Sequence, residues 1–299
     1  MKLYRTKKFL SVGVVGMILY TVMSATTTYA NSPSDSVTGD GRKDTYVNGI
    51  VYQLSAEVVG LQKQAFVLAK LQLDNALKHP ERYDKPLAIV TDVDQTIMSD
   101  TTYQATMMNK PGTWDNGPRK GYYHAVASTA DQPIPGAVEF FNYAKSKGVT
   151  SFYITNRAYD TKELAVAQLQ HFGFPDADDL HVMPMNEARE FNKDARRAEV
   201  AKNYDVILYL GDNISDFTSA FRKELGPINR TKLALSDTYE KKWGTEWIVL
   251  PNATYGDYIP TVWYNKPEAN RNEATRELFH YWDYTNPQWN TWYDGFVKD

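Results

Sequence analysis

Apolar residues recur along this chain in two rhythms. Between residues 49 and 77, Leu54, Val58, Leu61, Ala65, Leu68 and Leu71 return every three or four positions, with Lys63, Gln64 and Lys70 elsewhere around the turn. That spacing predicts one long packing helix, stopped by His79-Pro80. Short apolar runs then follow at 87–90, 149–154, 180–183, 206–210 and 247–250, with the length and composition of buried strands. Helical patterns lie between them: 135–144, opened by Pro135 and Gly136; 161–172, closed by Gly173 and Pro175; and 193–202. Such alternation predicts an α/β fold, a Rossmann-like parallel sheet with helices on both faces. The stretch 97–134 interrupts it. Irregular and rich in Tyr, Met, Gly and Trp, this stretch is expected to form a small, partly helical cap. Beyond residue 250 the chain is aromatic and irregular, with a further helix expected at 268–281. No internal repeat is visible.

The first strand pattern runs straight into chemistry, Thr91-Asp92-Val93-Asp94-Gln95-Thr96. A buried strand ending at Asp92 puts both carboxylates at the carboxyl edge of the sheet, where α/β folds bind ligands. Two acids so close cannot both be buried and ionised without a cation or a shared proton. An EF-hand loop would need Gly at its sixth position, where this chain has Ile97. A solvated turn remains the bland alternative. Three more polar groups follow later strand patterns: Thr155-Asn156-Arg157, Lys193, and Asp212 with Asp216. Taken singly, each has an ordinary reading as a turn, a solvated side chain or a helix cap. Taken in order along one sheet edge, converging acids suit a hard, oxygen-liganded cation such as Mg²⁺. A hydroxyl, an amide and an ammonium suit phosphate oxygens. One carboxylate can attack phosphorus while its neighbour protonates the leaving oxygen.

Composition narrows the setting. Residues 1–30 carry a basic head (Lys2, Arg5, Lys7 and Lys8), an apolar run and a small-residue end at Thr28-Tyr29-Ala30, the pattern of a secretory signal peptide. Residues 31–45 read as a flexible linker and 46–299 as the catalytic domain, with the cap inserted at about 97–134. The export segment holds four basic residues and no acid, so its removal takes the formal net charge from -3 to -7. An acidic chain without basic blocks argues against a nucleic-acid polymer as partner. There is no cysteine. That excludes disulfides, thiolate metal sites and a lipid anchor on an N-terminal cysteine, so no stable membrane anchor is expected. The protein is expected to be secreted or periplasmic.

These motifs resemble the class C bacterial acid phosphatases of the haloacid dehalogenase superfamily, the lipoprotein e(P4)-type 5′-nucleotidases. That family's first signature, D-x-D-E-T-x-L-x-N-x-x-Y, stands here from Asp92 to Tyr103. Its G-D-N-L-x-D-F signature stands from Gly211 to Phe217, its S/T-N-R at Thr155-Asn156-Arg157, and its P-N-x-x-Y-G element from Pro251 to Gly256. Gln95 replaces the usual Glu, Met98 and Ile214 each a Leu, and Asp100 an Asn. The resemblance implies Asp92 as nucleophile and Asp94 as acid/base. It implies Mg²⁺ held by Asp92, Asp94 and Asp212 with support from Asp216, and phosphate bound by Thr155, Asn156, Arg157 and Lys193. Tyr103 and Tyr255 match places where the family lines its nucleoside pocket. The implied function is a Mg²⁺-dependent acid phosphatase acting on small phosphomonoesters, in particular 5′-nucleoside monophosphates, through an aspartyl-phosphate. A phosphotransferase with the same site, a non-catalytic metal-binding protein and a homodimeric assembly stay open on these residues. The absence of R-H-G excludes a histidine acid phosphatase, and the absence of G-x-S-x-G counts against an α/β-hydrolase.

Overall fold

Strand-forming and helix-forming stretches alternate along the chain, and the computed structural model, which describes residues 41–108, 116–267, 281–283 and 288–290, builds them into one parallel sheet. The expected export segment and most of the linker lie outside the described residues. In chain order the elements are α1 (Gly41–Gln53), α2 (Ala56–Leu77), β1 (Leu87–Thr91), α3 (Thr101–Met108), α4 (Asn116–Ala125), α5 (Ala127–Ala130), α6 (Ala137–Ser146) and β2 (Thr150–Ile154). They continue with α7 (Lys162–His171), β3 (Val182–Met183), α8 (Asp194–Asn203), β4 (Asp205–Gly211), α9 (Gly226–Ala234), β5 (Trp247–Val249) and α10 (Tyr258–Val262). A separate antiparallel pair, β6 (Tyr281–Asp283) and β7 (Gln288–Asn290), follows. The helix expected at 268–281 falls outside the described residues except for Tyr281, which opens β6.

The five strands are ordered β3-β2-β1-β4-β5, all parallel. Connections leave β1 toward β2 on one side, and later cross to β4 on the other. The crevice between β1 and β4 is therefore a topological switch point, the place where such sheets bind ligands. Alternation within the strands covers both faces. Ile89, Tyr153, Leu208 and Leu210 face a large core with α2, α6 and α7, including Leu73, Phe140, Phe141 and Leu169. Ala88, Val90, Phe152 and Ile154 face the other side, against Val200 of α8. Fully burying one such aliphatic or aromatic side chain contributes about 1.5–3 kcal/mol.

Two local features differ from the sequence pattern. The single helix expected at 49–77 is two helices, because Ser55 accepts from the amide of Val58 (3.2 Å) and N-caps α2. A side-chain oxygen that satisfies an otherwise orphan amide allows a new helix to start there. The first helix begins at Gly41, so 41–45 belong to α1 rather than to a linker. The insertion holds α3, α4 and α5, and its two ends are tied together at its base. Met98 bridges to Pro133, the Ser99 amide donates to Gln132 O (2.8 Å), and the Ile134 amide donates to Ile97 O (2.8 Å). Among the described residues no helix is long and apolar enough to cross a membrane.

Helix α1 packs on the loop after β5. Gly49 lies so close to it that a Cβ there would meet Ala253 O at 2.3 Å. Gln53 donates to Pro251 O (3.1 Å) and to Gln95 Oε1 (3.5 Å), so α1 touches both the late loop and the loop after β1. Gly60 in α2, by contrast, has open space around it. We expect Gly60→Ala to raise stability by about 0.5–1 kcal/mol through helix propensity. Gly49→Ala should lower it by about 1–3 kcal/mol through overpacking, despite the same propensity gain. Urea unfolding midpoints of the two variants check both signs, and equal shifts would contradict the close approach.

Candidate active site

Because the five strands of the main sheet all point the same way, the residues after β1, β2 and β4 emerge along one edge. Register keeps these ends level: Thr91 pairs with Tyr153 and with Leu210, and the Asp92 amide donates to Leu210 O (2.9 Å). Asp92, Asp212 and Asp216 each offer a carboxylate oxygen, all within 4.8 Å of one another. Lys193, at the N-cap of α8, is buried between two of them. Its Nζ donates to Asp92 Oδ1 and to Asp216 Oδ1 (2.6 Å). Burial alone would weaken this ammonium's hold on its proton, but Asp216 and Asp92 pull the other way and its pKa rises. Thr96 Oγ1 donates to Asp212 Oδ1 (3.0 Å), and Asn252 Nδ2 donates to Asp212 Oδ2 (2.7 Å).

The cluster carries more negative charge than its bonded partners neutralise. Burial, opposed by Lys193 but reinforced by Asp216 and Asp94, pushes Asp92 up to about 6. Burial, then Asp216 and Asp92, raise Asp212 well above the usual carboxylate range. Three carboxylates against one directly bonded ammonium, with only oxygen donors, form a set suited to a hard divalent cation. Gly211 makes this packing possible. A Cβ there would meet Asp216 Cβ at 2.4 Å. The Asn213 amide donates to Asp216 Oδ2 (2.9 Å), which aims that carboxylate back at the cluster.

Asp94 sits in a second nest. Arg157 Nε donates to both of its oxygens (3.1 and 3.2 Å), Nη2 donates to Oδ1 (2.8 Å), and the Tyr123 hydroxyl donates to Oδ1 (3.1 Å). Arg157 also lies over the Tyr123 ring, 4.3 Å from its centroid. Sequence reasoning assigned Arg157 to phosphate; the structure turns its guanidinium onto Asp94 and, through Nη1, onto Gln168 (2.7 Å). Thr155 is fully buried, with its hydroxyl accepting from the Arg157 amide (3.1 Å). Asn156 Oδ1 accepts from Arg196 Nη2 (2.8 Å), while Arg196 Nη1 holds Thr155 O (2.6 Å). Tyr103 is 2% exposed and packs edge-on against Tyr122, centroids 5.4 Å apart. It shapes the cap interior and offers no open ring face for a base. Tyr255 is half-buried in the turn after β5.

The sequence left out Tyr123, Gln168, Asp131, Arg196 and Asn252 as site-building residues. Only Asn252 lay inside a recognised motif. The rest arrive from α4, α7 and α8 or, for Asp131, from just past the end of α5, and no spacing along the chain marks them.

The family model for subfamily IIIB of the HAD superfamily (acid phosphatase) matches residues 27–258. Among solved structures, the class C acid phosphatase from Bacillus anthracis with tungstate bound superposes with a TM-score of 0.71. It is 25% identical, over 82% of this chain and 100% of that one. A further structure of the Bacillus anthracis class C acid phosphatase gives a TM-score of 0.71 and 26% identity, over 81% of this chain and 99% of that one.

The nest around Asp94 extends into the cap. Gln168 Nε2 donates to Asp131 Oδ2 (3.3 Å), and the Tyr122 hydroxyl donates to Asp131 Oδ1 (2.5 Å). Burial, against the Tyr122 bond and the charge of Arg157, pushes Asp131 up to about 6. A carboxyl that holds its proton more tightly folded than unfolded favours folding at low pH. That contribution is lost as pH rises from about 4 through about 6. We therefore expect Asp131→Asn, which still accepts from Tyr122, to reduce the loss of stability between pH 4 and pH 7 by roughly 2–3 kcal/mol. Urea midpoints at the two pH values measure it; an unchanged slope would show that Asp131 ionises freely.

Proposed function

Since the chain belongs to subfamily IIIB of the HAD superfamily, the acid phosphatases, and is a phosphomonoesterase, we propose that it is an exported, Mg²⁺-dependent enzyme that transfers the phosphoryl group to Asp92 before water releases it. The observation that carries this reading is the uncompensated charge at Asp92, Asp212 and Asp216 beside the single ammonium of Lys193. Asp92 and Asp212 are the residues that would hold the cation, with Asp216 behind them and the Asp94 main chain alongside. When bound, Mg²⁺ supplies positive charge to a developing phosphoryl transition state.

Each remaining role falls to a side chain. Asp92, at the end of β1, is the nucleophile. Lys193 orients its carboxylate and offers positive charge to phosphate oxygens. Asp94 gives a proton to the leaving oxygen and later takes one from water, held for both tasks by Arg157 and Tyr123. Thr155 and Asn156 line the phosphate position, with Arg196 fixing the Asn156 amide. Export rests on residues 1–30 of the sequence, which combine a basic head, an apolar run and a small-residue end. For substrate we favour 5′-nucleoside monophosphates. Support comes from Tyr255, which the resembled family places at its nucleoside pocket and which here is only half-buried.

Three outcomes test this reading. Asp92→Asn should abolish turnover of p-nitrophenyl phosphate with melting temperature preserved; residual activity above background would remove the covalent step. Mg²⁺ at 100-fold over its dissociation constant should stabilise the wild type by about 2.7 kcal/mol. Asp212→Ala should lose most of that gain in a thermal-shift titration, a readout independent of activity. Tyr255→Ala should reduce kcat/KM for AMP about 5- to 150-fold, the worth of one stacked base, and much less for glycerol 2-phosphate. Parallel losses on both would leave a phosphatase without nucleoside preference.

A further inference from the structure

Arg230, in α9, is a buried cation that the phosphatase chemistry above does not use. It is 9% exposed. Its Nη1 donates to Asp257 O (2.8 Å) and to Thr261 Oγ1 (2.5 Å), while its Nε is buried without a hydrogen-bond partner. Among the described residues no carboxylate forms an ion pair with it. Burial pulls its proton affinity down, and only the charge of Asp257 works against that. A guanidinium taken out of water and left without an anion is costly, and proteins retain one mainly where an anion comes to it.

What Arg230 lines gives that charge a destination. Together with Phe221, Tyr258 and Thr261 it walls a cavity of about 350 Å³ that Asp212 and Asn213, at the carboxyl end of β4, also line. The cavity thus joins the catalytic cluster directly. Its size lies in the range of small-ligand sites, which combine apolar walls with a few placed polar groups. Asp212 is the acid among the residues that line the cavity, and the charge of Asp257 is felt at Arg230. Asp212 belongs to the cation-binding cluster, and Asp257 spends its backbone amide and carbonyl on Asn213 and Arg230.

We propose that this cavity is an oxyanion subsite in which Arg230 receives a second acidic group, phosphate or carboxylate. Its source is either the far end of the substrate or a free anion. The inference rests on the catalytic reading at Asp92, because it takes the scissile phosphate to lie beside Asp212, which lines the cavity. It implies that the enzyme favours phosphomonoesters carrying a further negative charge.

The test is a ratio. kcat/KM is measured for two pairs that differ by one acidic group: adenosine 3′,5′-bisphosphate against AMP, and 3-phosphoglycerate against glycerol 3-phosphate. The wild type should prefer the doubly acidic member of at least one pair. Arg230→Met should cut that preference about 10- to 150-fold, the worth of one charge-assisted hydrogen bond, and Arg230→Lys should cut it less. Ala234→Phe, which fills the cavity and leaves Arg230 in place, should cut it too; this variant carries the test if Arg230→Met does not fold. Sulfate that raises the melting temperature of the wild type but not of Arg230→Met, with all ratios unmoved, identifies a free anion as the occupant. Folded variants that change neither ratio nor sulfate response overturn the subsite. The nucleotide reading is judged separately, by AMP against glycerol 3-phosphate, so its failure leaves the glycerol pair able to report on Arg230.

Discussion

Three carboxylates, two of them buried and the third, Asp212, half-buried, stand within 4.8 Å of each other at the ends of β1 and β4. Such a cluster is unstable on its own, since each ionised group raises the proton affinity of the others. Here the relief is built from several directions. Lys193 comes from the start of α8, Thr96 from the loop after β1, and Asn252 from the loop after β5. Strands, loops and helices on both sides of the switch point are therefore held in register by one electrostatic requirement. The same requirement explains Gly211: any side chain there would occupy the space that Asp216 needs to turn toward the cluster.

The fold was readable because the apolar runs are unambiguous. Residues 87–90 and 206–210 carry no polar interruption and became the two central strands, β1 and β4. The weaker runs blurred: 180–183 shortened to the two residues of β3, and α9, which has no clean apolar stripe, was not foreseen. In the site, the sequence offered Asp92, Asp212 and Asp216, and the fold brings their carboxylate oxygens within 4.8 Å of one another. The signal was weaker where a residue's partner is far away in sequence. Arg157 looks like a phosphate ligand from its neighbours Thr155 and Asn156, yet the acid it meets is 63 residues earlier. Tyr103 looks like a stacking platform until the cap folds Tyr122 against it.

The cap is more than a wall. Through Tyr123 it reaches Asp94 directly, and through Tyr122, Asp131 and Gln168 it reaches the guanidinium that holds Asp94. Buried polar chains of this kind behave as units, because leaving one member unsatisfied costs the desolvation of its partner. Asp94 is thus positioned by the insertion as much as by the sheet.

The contact between α1 and the late loop sets an order on how the molecule comes into being. Gln53 meets Pro251 and Ala253 across separations of 198 and 200 residues, and the same amide touches Gln95 in the loop after β1. Closing so long a loop is entropically expensive and is rewarded only when both ends are present. During synthesis, the first helix waits for nearly the whole domain before its partner exists. The rim of the catalytic crevice is consequently among the last parts to settle, so a chain still being made lacks a finished active site.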